Sequence, residues 1–411
     1  MPKPLKVSSE VKNLRKVIIH APDDGIEVVT PGKALEFLYD DIVFLPQMQA
    51  EHAIFRRLLE IFLGEENVFD TQEMLKEVVL LNEEAKVRLV DAVCRLEKES
   101  DKTREKLRKL PADQLVYTLF TGMLKQDNRQ LFTPLPNYVF TRDIGTVVND
   151  HIIICNARKR ARSRESILTR FIINYHPVFA DFVKNDKVID LTQEGDDVKI
   201  EGGDIMVYDA KTLMIGCSSR TSPRAMELVA EKLFKKNVVS NVIRIDIPKK
   251  RASMHIDTLF TQVSKTEYVV FAPYVLKEKK LKVYHYTRRS AGEYQYPSLK
   301  EFFLDQNAHT GFILCGQGKP PYDEREQWTD GCNLLAVKDG VAIAYNRNAR
   351  TAEAFREKGY NVVDAETFIE AFEKGIISPA RVERTIISIP STELSRARGG
   401  PHCMSFPIER H

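Results

Sequence analysis

The residues of this chain best suited to chemistry are carboxylates, an imidazole and a thiol that stand beside short apolar strands. They are Asp143, Glu201, Asp204, His255, Asp257 and Cys403. Acidic residues are depleted in strands and costly to bury unpaired, so a cationic ligand is their simplest compensation. If the strands converge, Asp143 and Asp257 can flank a planar guanidinium, whose N–H donors match carboxylate oxygens two at a time.

Cys403 is the natural nucleophile of this set. A thiol near an imidazolium and a cationic substrate has its pKa lowered toward working pH, and the preceding Arg398-Gly399-Gly400-Pro401 is a flexible entry to it. We expect His255 to transfer protons, a role worth about 10²–10⁴ in rate, and Glu201 to hold its imidazole. The neighbouring His402 is expected to face away from Cys403, because successive side chains on a strand point to opposite faces.

Simpler interpretations of the same residue types stay open. A His-x-Asp pair with Glu and Asp nearby is also a metal-ligand pattern, which would make the chain a metal-dependent hydrolase. Asp204 could bind the backbone of its own turn. Cys94, Cys155 and Cys217 lie in apolar runs typical of core, whereas Cys332, within the repeat opening Gly331-Cys332-Asn333, is less clearly a core residue.

One basic run could indicate a nucleic-acid surface. It is Arg158-Lys159-Arg160-Ala161-Arg162-Ser163-Arg164. Clustered aromatic residues are missing from it and the formal net charge of the chain is only +3, so the run equally fits the start of a helix near Ser163 or a small-anion site. We therefore predict that nucleic acid is not a partner, and a strongly salt-dependent affinity for RNA would contradict this.

A loose repeat predicts the elements that position these residues. Four times the chain has a polar cluster, an apolar strand, a short turn and a second apolar strand, which is a hairpin pattern. Helical patterns fill gaps between them, for example Arg224–Lys236 and Ala352–Lys358. Such ββαβ units cannot bury both faces alone, so they should pack around a common axis with their polar openings at one end. The openings begin at Phe140, Glu201, His255 and Gly331.

The two ends of the chain are predicted to complete this arrangement. A fifth opening, Pro401 to Ser405, would pair its strand with the early strand Lys16–His20 and close the ring. From about Asp70 to Gly122 the apolar residues recur at helical spacing, and Pro111 divides two segments. We therefore predict an α+β fold: a catalytic five-bladed α/β propeller of residues 1–69 and 123–411, with an inserted helical bundle of residues 70–122.

The composition is that of an ordinary globular protein. At 411 residues, 43% hydrophobic and 29% charged, disorder and collagen-like repetition are excluded. The longest apolar runs are far shorter than the roughly 18 residues that cross a bilayer, and the N-terminus lacks the apolar segment of a secretion signal. Six scattered cysteines without a C-x-x-C pair are typical of reduced thiols. We expect a cytoplasmic protein with no membrane partner.

Spaced motifs over nearly the whole chain add to this pattern. In order they are Ser9-Glu10-Val11, Leu14-Arg15-Lys16-Val17, Asp40-Asp41-Ile42, Glu51-His52, Pro136-Asn137, Phe140-Thr141-Arg142-Asp143, Glu201-Gly202-Gly203-Asp204, Ser219-Arg220-Thr221, His255-Ile256-Asp257-Thr258, Glu324-Arg325-Glu326, Asp330 and Cys403-Met404-Ser405. Together they resemble the arginine deiminases, in the guanidine-modifying superfamily with the pentein fold. Several motifs in order are far more specific than any one. The resemblance implies a five-bladed α/β propeller and the helical insertion.

The resemblance also implies a reaction, the hydrolysis of L-arginine to L-citrulline and ammonia through a covalent thiouronium intermediate. Cys403 is then the nucleophile, His255 and Glu201 the acid/base pair, and Asp143 and Asp257 the guanidinium ligands. A metal or organic cofactor is not expected. An amidinotransferase or an arginine dihydrolase, which would share these groups, stays open as the alternative. The sequence also leaves the oligomeric state open, a homo-oligomer included.

A second group of residues is implied as substrate-binding. Asn137, Arg162 and Arg220 would surround the α-carboxylate, Phe140 would lie against the aliphatic stem, and Arg398 resembles a mobile gate. Arg164, two residues after Arg162, is an alternative carboxylate ligand. Pro401 and His402 stand where the family varies, so they have no implied role.

Overall fold

The computed structural model describes residues 5–33, 36–37, 39, 41–125, 129–277 and 280–411, with the side chains of 291–293 left out. Asp40, part of one motif above, lies outside these residues. The described strands are β1 Leu14–Ile19, β2 Val68–Asp70, β3 Met123–Leu124, β4 Arg129–Gln130, β5 Gly145–Val148, β6 His151–Ile154, β7 Val188–Asp190, β8 Ile205–Val207, β9 Thr212–Cys217, β10 Asn241–Asp246, β11 Phe260–Gln262, β12 Glu267–Val270, β13 Lys282–Thr287, β14 Ala291–Tyr296, β15 Gly311–Leu314, β16 Leu335–Lys338, β17 Val341–Tyr345, β18 Asn361–Asp364, β19 Thr385–Ile389 and β20 Phe406–Arg410.

Helices fill the connections between many of these strands. They are α1 Leu45–Leu63, α2 Thr71–Leu81, α3 Glu83–Glu97, α4 Asp101–Arg108, α5 Ala112–Thr121, α6 Ser163–Tyr175, α7 Ala180–Lys184, α8 Pro223–Lys235, α9 Ala272–Val275, α10 Leu299–Gln306, α11 Tyr322–Trp328, α12 Ala349–Glu357 and α13 Ala365–Glu373. In the described part of the chain, none of them combines the length and the apolar character that spanning a membrane requires.

The four predicted hairpins are confirmed. The strand pairs β5–β6, β8–β9, β11–β12 and β16–β17 are antiparallel, with Val147 opposite Ile152 in the first. In each unit the second strand then pairs in parallel with a later one, as β6–β7, β9–β10, β12–β15 and β17–β19. Parallel pairing needs a crossover, and helices supply it each time. One boundary differs: β12 ends at Val270, because Pro273 stands in the first turn of α9.

The two chain ends form the same arrangement, as the sequence predicted. β1 pairs antiparallel with β20, with Ile18 opposite Phe406, and after α1 it pairs in parallel with β2. The C-terminal strand is thus held in the fold by a strand that lies almost four hundred residues earlier in the chain. Cys403 stands three residues before β20 and is therefore fixed by it.

The second sheet is larger than the repeat predicted. β13 and β14 leave the third unit and extend the second sheet to the order β14-β13-β10-β9-β8. β13 pairs antiparallel along β10, from Asn241 opposite Thr287 to Asp246 opposite Lys282. The described sheets of three or more strands number five, beside the two-stranded β3–β4.

Helices α2 to α5 lie inside the predicted insertion. Capping side chains set the starts of α2 and α3: Asp70 accepts the N–H of Gln72, and Asn82 that of Ala85. Their apolar faces, for example Leu89, belong to the same buried cluster as α6 and the first hairpin. The insertion therefore packs directly on the sheet that carries part of the site.

Candidate active site

The polar openings of the repeats meet in one place. Asp143, Glu201 and His255 each stand in or just before a short 3₁₀ turn that leads into the first strand of a hairpin. Cys403 stands in the turn before β20. Every residue predicted for the site lines one cavity, except Asp257, whose Oδ2 lies 3.4 Å from the sulfur of Cys403. Repetition of one local structure has brought side chains from four units together.

His255 and Glu201 form a buried pair. The imidazole Nε2 lies 2.9 Å from Glu201 Oε2, and its Nδ1 lies 3.7 Å from Asp143 Oδ1. Burial alone would lower the pKa of His255, but Asp143 and Glu201 outweigh it and raise that pKa to about 9. The group is therefore an imidazolium at neutral pH, ready to donate a proton.

Glycine is required beside this imidazole. A Cβ on Gly203 would stand 2.6 Å from His255 Nδ1 and 3.1 Å from Asp143 Oδ1. Any larger residue would displace one of the two groups. The Glu-Gly-Gly-Asp motif thus has a packing reason that its sequence alone does not reveal.

Arg162 places a guanidinium of the protein itself among the carboxylates. Its Nη1 donates to Asp143 Oδ2 at 2.8 Å and lies 3.3 Å from Glu201 Oε2, and its Nε donates to Glu165 Oε2 at 2.8 Å. Arg220 Nη1 lies 3.4 Å from Glu201 Oε1. Although burial opposes it, Arg162 and Arg220 together lower the pKa of Glu201 well below its usual range. The site therefore already accommodates a guanidinium.

The metal interpretation is not favoured by this arrangement. Asp143, Glu201 and His255 each offer a ligand atom, all within 4.8 Å of one another. The Arg162 guanidinium touches two of the three, and His255 carries a proton. A dication would have to displace one positive charge and deprotonate another, which costs binding free energy at neutral pH.

Cys403 is fixed from three sides. Its sulfur lies 3.4 Å from Asp257 Oδ2, its N–H donates to Asn333 Oδ1 at 3.0 Å, and its carbonyl accepts the N–H of Arg142 at 2.9 Å. Asn333 also donates to the carbonyl of Asp257 at 3.2 Å, so one amide side chain links nucleophile and carboxylate. The cysteine is only 6% exposed.

Two buried carboxylate oxygens of the site, Asp143 Oδ1 and Asp257 Oδ1, accept no hydrogen bond from any residue that the structure describes. Burying an acceptor without a donor costs about 1–3 kcal/mol, and more when it is charged. The pair beside the thiol therefore indicates a cationic ligand with several N–H donors.

The segment before Cys403 is anchored by a buried carboxylate of α1. Glu51 on α1 accepts the N–H groups of Thr392 at 2.9 Å, Glu393 at 3.0 Å and Leu394 at 2.9 Å. The chain then runs to Arg398, which is buried, has a φ of +63° and lies 3.5 Å over the ring of Trp328.

Arg398 separates this cavity from an open one. The inner space measures about 20 Å³ and the outer one, which Trp328 also lines, about 510 Å³. The inner volume is hardly larger than one water needs. A substrate of amino-acid size must therefore move side chains to enter.

Several sequence expectations change with the structure. Arg164 does not reach the cavity: its Nε donates to Leu119 O at 2.9 Å and its Nη1 to Glu97, which ties α6 to the insertion. The basic run is therefore divided, with Arg162 and Arg164 buried and residues 158–160 exposed. Asp204 binds beyond its own turn, to Ser218 Oγ at 2.6 Å and Ile256 N at 3.0 Å.

The expectation for His402 is wrong. Residues 401–404 form a turn rather than a strand, so the alternation of side chains does not apply. The His402 Nδ1 lies 3.0 Å from Asp257 Oδ2, the same oxygen that faces the sulfur of Cys403. Burial opposes ionisation of Asp257, but hydrogen bonding and charge from its neighbours, His402 first among them, outweigh burial and lower the pKa of that carboxyl.

Other residues of the site were missed. Asn333 could have been found from the sequence, because it stands in the fourth repeat opening beside Cys332. It was not chosen because its side chain is an amide and not an acid. Trp328 is the one tryptophan of the chain, and its contact with Arg398 depends on a fold that sequence spacing does not give. Cys332 itself stays buried outside the cavity.

The Cys403 thiol is held protonated when substrate is absent. Burial raises its pKa well above the ordinary value, and nearby carboxylates, above all Asp257 and Asp143, raise it further. Because the shift is upward, the reactive thiolate fraction grows as pH rises and is not saturated at neutral pH. The lowered pKa that the sequence predicts for the Cys403 thiol therefore requires the positive charge of a bound substrate.

We therefore expect alkylation of the free enzyme by iodoacetamide to accelerate about tenfold per pH unit from about pH 6 to about pH 9. Peptide mass spectrometry assigns the label to Cys403, and Cys403→Ser gives the background from the other cysteines. A plateau below about pH 8 would indicate a preformed thiolate–imidazolium pair and contradict this electrostatic description.

Comparisons with known proteins agree with this geometry. A family model described as "Arginine deiminase" matches residues 117–410. The arginine deiminase of Bacillus cereus strain B4264 is 32% identical over 447 aligned positions, which cover 100% of this chain and 99% of the relative. That of Borreliella afzelii strain PKo is 29% identical, over 99% of this chain and 98% of the relative.

Solved structures agree in fold. The amidinotransferase SxtG from Microseira wollei superposes with a TM-score of 0.53 at 12% identity, covering 100% of this chain and 98% of that one. At such identity the likeness concerns the fold alone, which is the pentein fold, with mixed helices and sheets.

Proposed function

This chain belongs to the arginine deiminase family, and on that premise we propose that it hydrolyses L-arginine to L-citrulline and ammonia through a covalent intermediate on Cys403. The observation that carries the proposal is the pair of buried oxygens, Asp143 Oδ1 and Asp257 Oδ1, that accept no hydrogen bond from the described residues beside a thiol and an imidazolium. This set of groups fits a guanidinium and the chemistry at its carbon.

Substrate binding is an exchange of one guanidinium for another. The side chain of free arginine cannot be deprotonated by a protein group, so it enters as a cation and binds between Asp143 and Asp257. Arg162, which occupies that region in the free enzyme, moves with Arg220 toward the α-carboxylate of the substrate. The charges around Glu201 and Asp143 stay balanced throughout.

The remaining binding residues define the length of the site. Phe140 lines the cavity where the aliphatic stem would lie, and Asn137 lines it beside the expected α-carboxylate. Arg398 is the gate: it must leave the Trp328 ring to enlarge the inner cavity. Holding the guanidinium carbon above the sulfur in this way supplies the attack geometry.

The first half of the reaction is addition and loss of ammonia. The positive charge of the guanidinium stabilises the Cys403 thiolate, whose proton is lost to solvent as substrate binds. The sulfur–carbon bond forms, the His255 imidazolium donates its proton to one terminal nitrogen, and the carbon–nitrogen bond breaks. Ammonia leaves, and a thiouronium remains on Cys403.

The second half is hydrolysis by the same groups. The now neutral His255, held by Glu201 at 2.9 Å, takes a proton from a water molecule that attacks the thiouronium carbon. The sulfur–carbon bond then breaks, Cys403 leaves as a thiolate, and citrulline loses its last proton to solvent. His255 is again an imidazolium, so a single residue acts first as acid and then as base.

Product stoichiometry tests the proposed reaction. We expect one citrulline and one ammonia for each arginine consumed, with full activity retained after treatment with a chelator. Ornithine with two ammonias would show an arginine dihydrolase, and dependence on an added amine acceptor would show an amidinotransferase. Either result would overturn deimination while leaving the guanidinium site intact.

The finer architecture belongs to the same proposal. The four hairpin units and the one formed by the chain ends support a five-bladed α/β propeller, in which residues 1–69 and 123–411 form the catalytic domain and residues 70–122 an inserted α-helical domain. The cytoplasmic location, the homo-oligomer and the absence of a nucleic-acid partner stay predictions.

A further inference from the structure

A buried line of ionisable side chains runs from the N-terminal segment to the nucleophile. Asp257 Oδ2 lies 3.4 Å from the sulfur of Cys403 and 3.0 Å from His402 Nδ1. On the other side of the same imidazole, Nε2 lies 3.6 Å from Glu10 Oε2. All four residues are nearly inaccessible to solvent. Glu10 thus faces, through one ring, the carboxylate beside Cys403.

Glu10 is held in this position by two further partners. Its Oε1 accepts the N–H of Val207 at 3.1 Å, and its Oε2 lies 3.7 Å from Arg142 Nη2. Burial opposes its ionisation, yet Arg142 and His402 hold the pKa of this carboxyl well below its usual range. Arg142 also donates its backbone N–H to the carbonyl of Cys403. Glu10 is therefore an anion at neutral pH, held in place by these contacts.

We propose that Glu10 is a positioning residue for the reaction, acting through His402 to orient Asp257. The inference rests on the proposed function. Each ring nitrogen faces a carboxylate, Nδ1 that of Asp257 and Nε2 that of Glu10, so the ring acts as a donor on both sides. The charge of Glu10 holds it with its Nδ1–H toward Asp257 Oδ2. That contact fixes the carboxylate so that its other oxygen, Oδ1, is available to the substrate guanidinium.

The test is a double-mutant cycle on citrulline formation. Glu10→Gln keeps the volume and the acceptor for Val207 but removes the charge that faces His402. His402→Asn keeps a donor near the Nδ1 position but does not reach Glu10. We expect kcat to fall about 10- to 100-fold in Glu10→Gln, the scale typical of losing a residue that orients a functional group from behind, with a smaller change in KM.

The cycle separates positioning from a general structural role. If Glu10 acts through His402, Glu10→Gln has no further effect on kcat in a His402→Asn background, because the two changes break one connection. Glu10→Asp, which retains the charge, should restore most of the loss. Glu409→Gln, which removes a buried carboxylate that pairs with Lys16 outside the site, should leave kcat unchanged even where it lowers the thermal midpoint.

Additive losses in the double mutant, or a kcat of Glu10→Gln equal to that of the wild type, would overturn the inference. Either result in an otherwise active enzyme leaves the proposed function standing. A wild type that releases no citrulline from arginine would instead refute both the proposed function and this inference. An equal loss of kcat in Glu10→Asp and Glu10→Gln would show that Glu10 contributes packing and not charge, which would also overturn the inference.

Discussion

Replacing Cys403 by serine is expected to lower kcat at least about 10⁴-fold, the scale seen when a covalent nucleophile is removed. A hydroxyl is a far weaker nucleophile than a thiolate and is not ionised by the positive charge of the substrate. Fold and binding should persist, because the change is nearly isosteric and the backbone bonds to Asn333 and Arg142 remain. Citrulline formation and the thermal midpoint are the two measurements.

The matched control is Cys94→Ser. Cys94 is also buried but stands in α3 of the insertion, so its replacement should affect stability and leave kcat nearly unchanged. Retention of more than about one hundredth of the activity in Cys403→Ser would contradict a covalent mechanism. If a chelator then abolished that activity, the metal-dependent alternative would gain support.

Asp257→Asn is expected to give the second largest effect, a fall in kcat/KM of about 10²–10⁴-fold. Removing one partner of a buried charge pair costs about 3–5 kcal/mol, because the other charge is left uncompensated. Here that charge is the substrate guanidinium, and the new amide N–H groups also oppose it. The sulfur of Cys403 simultaneously loses the carboxylate 3.4 Å away.

Asp204→Asn provides the comparison for this loss. Asp204 is fully buried nearby, but it serves Ser218 and Ile256 rather than the cavity, and burial raises its pKa to about 7. Since its carboxyl is already partly neutral, the amide should cost little activity. Equal losses of kcat/KM in Asp204→Asn and Asp257→Asn would remove the special role assigned to Asp257.

The architecture was largely predictable because it depends on local signals that repeat. Turn residues between apolar strands are short-range features, so the hairpin of Val147 and Ile152 could be derived from sequence alone. The pairing of the early strand, predicted as Lys16–His20, with the C-terminal strand followed from counting the openings. The transfer of β13 into the second sheet was not predictable, since edge pairing depends on long-range packing that the strand itself does not specify.

The residue types of the site could be predicted, but not all of the contacts between their side chains. That Glu201 and His255 belong together followed from matching positions in successive repeats. That Arg162 binds Asp143 before substrate arrives did not, because a long side chain can reach several partners and only the fold selects one. His402 was misjudged for a related reason, since the strand rule was applied where the chain turns.

The most direct test of covalent catalysis is the mass of the Cys403 peptide during turnover. In Glu201→Gln the imidazole of His255 loses its charged partner, so activation of water should slow and the intermediate accumulate. After acid quench and digestion, we predict that the peptide Gly399–Arg410 gains the mass of arginine less one ammonia, and that the gain disappears in the Cys403→Ser background. Citrulline formation at an undiminished rate without this adduct, or an adduct on any other residue, would contradict the account.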